Sequence, residues 1–384
     1  MIDLVPSAWA LLSAFLVFCF GAAVTVWAGK ILGVGSRRVL QIYFWHTVFC
    51  ILYAMYIDSN SGDASVYYYK ALDGDVTFKA GSGLVSLITY PLVSVFGLGF
   101  LATSLCFNIA GAIGLVACDV SFRESSEGAS ARVKRLARIL IFLPSMSFWS
   151  AGIGKDALAF LSVGLALWSS MLLPKRAPGM VLAVLCMLAV RPHIAGVMIL
   201  ALAGSIVVLG RISMPIRIVL GVASMAGAAW LIPFAVDYVG LGGDLDGAEV
   251  QEYIAKRQSV NLGGGSSVDI SSMSFPMQVF TYVFRPLPFE AHNASSLASS
   301  IENVLLLAIF FYGLLRMLPR WRILLSDGRA FLWFYAGACW VLCALTTANL
   351  GIAVRQKWMF VPMLMALMLQ ALAWRRGSHS RIVD

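Results

Sequence analysis

Apolar residues in this chain come in blocks long enough to cross a bilayer, and that feature constrains the fold more than any motif. Eleven such blocks lie at 8–28, 39–57, 97–118, 137–150, 156–173, 178–191, 192–210, 216–236, 297–318, 329–347 and 357–374. A spanning helix needs about 20 apolar residues. In lipid, every backbone N–H and C=O must also be satisfied within the segment. The pattern predicts an all-α polytopic membrane protein, a single integral membrane domain over residues 1–384 with about 11 transmembrane helices. Two shorter apolar segments, 83–96 and 276–289, predict re-entrant or interfacial helices on the external face. Composition agrees: 60% of the residues are hydrophobic and only 12% charged, about half the charged share of a soluble domain. This excludes a cytosolic enzyme, a disordered chain and a nucleic-acid partner.

No basic residue precedes segment 8–28, so it reads as a first span rather than a cleaved signal. Lysines and arginines set the orientation. Of the 28, 19 fall in one alternate set of loops, and 14 of the 19 acidic residues fall on the other side. The basic side is the cytoplasmic one, which places the N-terminus outside and the C-terminus inside a bacterial inner (cytoplasmic) membrane. The loop at 119–136 is then cytoplasmic and basic, and 58–96 and 237–296 are external. The seven cysteines all lie in or beside apolar segments, so no disulfide framework is expected. Cys339 and Cys343, one helical turn apart, read as small packing residues. No Walker A pattern occurs, and Gly33–Gly35 leads into Ser36-Arg37-Arg38 rather than a phosphate-binding turn. ATP-driven transport by this chain alone is excluded.

Ionisable groups near membrane depth cost roughly 2.5–3.5 kcal/mol each, so where they occur they mark function by default. Four clusters stand at external ends of spans. Pro144 leads to Phe148-Trp149-Ser150 and then Gly154-Lys155-Asp156, where Lys155 can bind phosphate and Asp156 sits at a helix start favoured by the dipole. Arg191-Pro192-His193 joins two apolar segments with almost no loop. Arg285-Pro286-Leu287-Pro288-Phe289-Glu290 is a proline-stiffened turn carrying a guanidinium and a candidate base, Glu290, with Glu302 and Asn303 just beyond it. Asn349 to Trp358 carries Arg355 and Lys357. Each has a plain structural counterpart: a helix cap, a snorkelling arginine, an interfacial turn, an interface anchor. Together Lys155, Arg191, Arg285 and Arg355 run against the positive-inside trend. Arginine forks bind phosphate oxygens bidentately and stay charged, so the set suits a diphosphate.

Asp63, in Ser61-Gly62-Asp63-Ala64-Ser65-Val66-Tyr67-Tyr68-Tyr69, is a candidate general base, and Tyr67–Tyr69 can stack on sugar rings. No cofactor or resident metal is expected. Asp73-Gly74-Asp75 and Asp244-Leu245-Asp246 have the D-x-D form that can hold a divalent cation, but the form is short and recurs by chance. His46, on an apolar helix, reads as a satisfied core histidine.

The Pro-Ser…Phe-Trp-Ser…Gly-Lys-Asp stretch (144–156), the Gly-Asp-Ala…Tyr loop (62–67), the Arg-Pro…Glu turn (285–290) and the Arg-Gln-Lys turn (355–357) resemble the bacterial polysaccharide polymerases of the Wzy and EpsG kind, among the GT-C-like membrane glycosyltransferases. The resemblance implies an enzyme that joins polyprenyl-diphosphate-linked (undecaprenyl diphosphate) saccharide units on the external face during surface polysaccharide synthesis, O-antigen or exopolysaccharide. It implies Arg191, Arg285 and Arg355 as diphosphate clamps, Lys155 assisting, and Asp63, Asp156 or Glu290 as the base; His193, beside Arg191, and Tyr67, beside Asp63, are further candidates for substrate binding. A flippase and a chain-length regulator are the implied protein partners. The competing readings are a transferase using a polyprenyl-phosphate sugar, an O-antigen ligase, or a lipid-linked oligosaccharide flippase.

Overall fold

Ser7 starts the first helix: its hydroxyl accepts the Ala10 N–H at 3.1 Å, and α1 then runs Ala8–Ile31. The buried face of α1 is made of small residues, among them Ala10, Ala14, Gly21, Ala28 and Gly29, while Trp9, Phe15, Phe20 and Trp27 point outward. A surface helix in water does the reverse. Small residues inward and large apolar ones outward suit a helix that packs closely on its neighbours and is solvated by lipid.

The computed structural model describes residues 4, 6–60, 62–77, 79–209, 266–270, 272–318 and 329–373, with five isolated positions between 214 and 226. After α1 come α2 (Ser36–Asn60), α3 (Asp63–Leu72), α4 (Ser82–Tyr90, continued by a π turn Pro91–Val95), α5 (Phe100–Ser125) and α6 (Ala131–Ile139). Then follow α7 (Pro144–Ser150), α8 (Lys155–Met171), α9 (Leu173–Val190), α10 (Pro192–Leu209) and α11 (Phe275–Phe284). The last are α12 (Ala294–Met317), α13 (Arg329–Thr346), α14 (Leu350–Gln356) and α15 (Val361–Ala373). Among the described residues no strand forms, and the sole bridge is an isolated antiparallel pair, Ser267 with Asn349. Helices α1, α2, α5, α9, α12 and α13 are each long and apolar enough to cross a membrane. These are the helices of a membrane protein.

Helix α5 runs through the middle, packed against α1, α2 and α8. Its closest approach is to α8, where a Cβ added at Gly114 would stand 2.9 Å from the Phe160 carbonyl oxygen and one at Gly164 would collide with the Gly114 backbone. Two glycines facing each other let the backbones touch, which is how helices gain van der Waals contact where lipid offers no hydrophobic drive.

Several expected elements take a different form. Segment 137–150 is broken: α6 ends at Ile139, a 3-10 turn spans Leu140–Phe142, Leu143 is extended, and α7 starts at Pro144. Proline disfavours the helical conformation at the residue before it and suits the first helical position. Segment 357–374 opens with a 3-10 turn, Lys357–Met359, that continues α14, and the chain bends by 62° before α15. The basic loop 119–136 is largely helical, because α5 continues to Ser125 and α6 begins at Ala131. Segments 83–96 and 276–289 form the short helices α4 and α11. Block 216–236, loop residues 237–265 and the Asp244–Asp246 pair lie outside the described residues, save three isolated positions in the first.

Ion pairs gather at the two ends of α2. At its N-terminal end Arg38 pairs with the buried Asp119 at 2.7 Å, Arg123 meets the same carboxylate at 3.0 Å, and Arg176 meets Glu124 at 2.6 Å. A second set lies at its C-terminal end, where the candidate site is built.

Candidate active site

The turn between α7 and α8 brings Asp156 into the interior. Gly152 allows it, since a Cβ there would run into the Tyr53 ring of α2. Gly154 then caps α8, and Asp156 falls in its first turn, where exposed N–H groups favour an anion. Two guanidinium groups close on this carboxylate. Arg191, held between α9 and α10 where Pro192 starts a new helix, donates from Nη2 to Oδ1 at 2.7 Å. Arg355, in the last turn of α14, donates from Nε to Oδ2. Arg355 reaches further and donates from Nη1 to Asp63 Oδ2 at 3.0 Å. The order Arg191–Asp156–Arg355–Asp63 alternates in charge and ties together α3, α8, α14 and the α9–α10 turn. Asp156 and Arg191 are buried, whereas the Asp63 side chain is 53% exposed.

Asp63, Arg285, Glu290 and Arg355 line a single cleft of about 680 Å³. In the 285–290 turn, Glu290 accepts from Arg285 Nε at 2.8 Å and from the Leu287 N–H at 2.7 Å. Burial alone would raise the Glu290 carboxyl, but the Arg285 hydrogen bonds and the Leu287 N–H hold it below the ordinary glutamate range. The turn is fastened from beneath, where Asn303 Nδ2 donates to the Pro286 carbonyl at 3.0 Å and the fully buried Lys357 ammonium donates to Asn303 Oδ1.

An aromatic wall faces these charges. Tyr53 and Tyr56, one turn apart on α2, meet Phe148 edge-on at 5.4 and 5.6 Å, and Phe148 meets Trp149 at 5.0 Å. The Arg355 guanidinium lies 6.0 Å from the Trp149 ring centre. Glu302 completes the inner wall. It accepts the Ser145 N–H at 2.8 Å and the Ser145 hydroxyl, whose oxygen also accepts Trp358 Nε1–H at 3.2 Å.

The cleft thus takes in four of the expected site residues. Asp156 and Arg191 stand behind Arg355. Lys155 donates to Ser82 Oγ at 3.2 Å, away from the cleft, and His193 lies in the first turn of α10, also off its lining. Tyr67 packs beneath α3 with its hydroxyl 3.4 Å from Ser82 Oγ, and burial raises its phenol above the ordinary value. The tyrosines at the cleft are Tyr53 and Tyr56, which sequence reasoning passed over although they lie one turn apart near the end of α2. The sequence places Glu302 just beyond the 285–290 turn and Ser145 within the 144–156 stretch but assigns neither a role. Their proximity spans 157 residues and carries no local signal. His46 is a satisfied core histidine, with Nδ1 2.5 Å from Asn108 Oδ1 and Nε2 3.0 Å from Ser150 Oγ. All seven cysteines are free thiols.

No family model matches the chain, and neither curated proteins nor solved structures contain a significant match to it.

Proposed function

We propose that the chain is a membrane glycosyltransferase, a polysaccharide polymerase that joins polyprenyl-diphosphate-linked saccharide units at the external face of the bacterial cytoplasmic membrane. The observation that carries this reading is the cleft itself: Arg285 and Arg355, each steered by a carboxylate, beside a wall of Tyr53, Tyr56, Phe148 and Trp149. A sugar ring stacks its C–H face on an aromatic, and a diphosphate takes guanidinium forks in pairs. Asp156 holds Arg355 through Nε, which leaves the far edge of its fork to an anion that displaces the exposed Asp63. Arg191 and Asp156 then act by positioning Arg355. Both arginines neutralise charge as the bond to the diphosphate breaks. The cleft runs along α2 from Asp63 at its mouth to Phe49, about 16 Å down the helix from Asn60 at 1.5 Å per residue. An amphipathic lipid-linked substrate needs that combination of polar mouth and apolar depth.

The reading includes the full layout of about 11 crossings, in which the broken segment 137–150, the shorter α8, α10 and α15 and block 216–236 join the six long helices. The sorting of Arg38, Arg123 and Arg176 to the opposite end of α2 supports an external cleft. The test is a gel of surface and lipid-linked glycans from host cells in which the gene is deleted, then restored as wild type or as Arg285→Ala. Deletion is expected to leave single saccharide units in place of a ladder, and Arg285→Ala at normal protein level is expected not to restore it. Units that build up on the cytoplasmic leaflet and never appear outside would identify a transporter instead. An unchanged ladder would overturn the polymerase reading for that glycan.

A further inference from the structure

A glycosyl transfer to a hydroxyl needs a group that takes the hydroxyl proton, and three carboxylates line the cleft: Asp63, Glu290 and Glu302. Asp63 accepts from Arg355 and Glu290 from Arg285, so each already serves a guanidinium. Asp156, bound by both Arg191 and Arg355, does not line the cleft at all. Among the described residues, Glu302 alone of the three has no arginine partner. Its oxygens each accept one hydrogen bond, from the N–H and the hydroxyl of Ser145, and each keeps a lone pair. The nearby lysine is engaged elsewhere, since Lys357 Nζ donates to Asn303 Oδ1. Glu302 is 4% exposed, at the water-poor inner end of the cleft, between α7 and α12. Glu302 is oriented by two donors and feels the Lys357 charge only through space, without an ion pair, so its free lone pairs stay open to an acceptor proton.

We propose that Glu302, oriented by Ser145, is the catalytic base that activates the acceptor hydroxyl. The inference rests on the glycosyltransferase reading and completes it. In the step, a Glu302 oxygen takes the acceptor proton while the acceptor oxygen bonds to the anomeric carbon. The bond from that carbon to the diphosphate oxygen breaks, and its electron pair leaves on the polyprenyl diphosphate. Arg285 and Arg355 meet the new negative charge, and the proton on Glu302 passes to solvent before the next cycle.

The experiment uses the purified full chain in lipid nanodiscs, with lipid-linked units extracted from the deletion strain as donor and acceptor. Glu302→Gln, nearly the same shape, is expected to lower kcat by about 10²–10⁴-fold with KM little changed and to abolish the acid limb of the pH–rate profile. Ser145→Ala removes one donor from the ionised carboxylate, so the base protonates more readily and the limb moves to higher pH. A purely packing role for Glu302 would leave that limb in place in both variants and overturn the inference. An acid limb removed by Asp63→Asn but kept in Glu302→Gln would assign the base to Asp63 and overturn it equally. If Glu302→Gln does not fold, the Ser145→Ala shift decides alone. Wild-type protein that extends no unit from this extract sinks the glycosyltransferase reading, and the inference with it.

Discussion

Asp156 shows how much one side chain organises here. Its two oxygens separate two guanidinium groups that would otherwise repel each other inside the protein. Removing one partner of a buried charge set leaves the others uncompensated, at a cost of about 3–5 kcal/mol. Asp156→Asn is therefore expected to lower the thermal midpoint and to abolish turnover, whereas Asp63→Ala, at the exposed end of the same chain of charges, leaves the midpoint nearly unchanged. Melting curves of the two purified variants compare them directly. Glu290 makes a different prediction. Its carboxyl is depressed in the fold, so its hold on Arg285 is fully present above the unfolded glutamate value of about 4.3 and is lost as pH falls through the lower folded value. Glu290→Gln is expected to raise KM several-fold, because Arg285 loses its guide, and to leave the acid limb of the rate profile where it was. Loss of that limb in this variant would make Glu290 the base.

At the scale of elements, hydropathy located the long helices well. Segments 8–28, 39–57, 97–118, 297–318 and 329–347 each sit within or nearly coincide with an observed helix, because a run of apolar residues in lipid has no better way to satisfy its backbone. It failed at 137–150 and 357–374, where the chain stays apolar while its direction changes. Pro144 carried the signal for the first break. The second lies at Phe360, and Pro362, in the first turn of α15, is its sequence mark. The α5–α8 contact yields a sharper test. Gly164→Ala inserts a methyl group against the Gly114 backbone, and overpacking of this kind costs about 1–3 kcal/mol. Reduced yield and a lower melting midpoint are expected for Gly164→Ala but not for Gly196→Ala, whose added Cβ meets nothing within 4 Å.

At the scale of the whole molecule, the two charged ends of α2 carry the topology. On the proposed reading, the positive-inside rule assigns the Arg38–Asp119 end to the cytoplasm and the cleft to the outside. Single cysteines at Ser295 and Glu127, both exposed, in an otherwise cysteine-free chain test this in intact cells. A membrane-impermeant maleimide is expected to label Ser295→Cys before lysis and Glu127→Cys only after it. The reverse pattern would turn the cleft to the cytoplasm and remove the basis for an external reaction. The sequence by itself determined that the chain is helical and built for a bilayer, because length and hydropathy of single segments decide both. It also marked Asp63, Arg285, Glu290 and Arg355, since a charge at the end of an apolar run is conspicuous wherever the run goes. Only the tertiary structure decided which charges share a cleft, that Asp156 and Arg191 stand behind Arg355, and that Ser145 turns Glu302 toward the inner wall. Those relations join residues 35 to 292 positions apart. They follow from how the helices pack, which no local run of residues encodes.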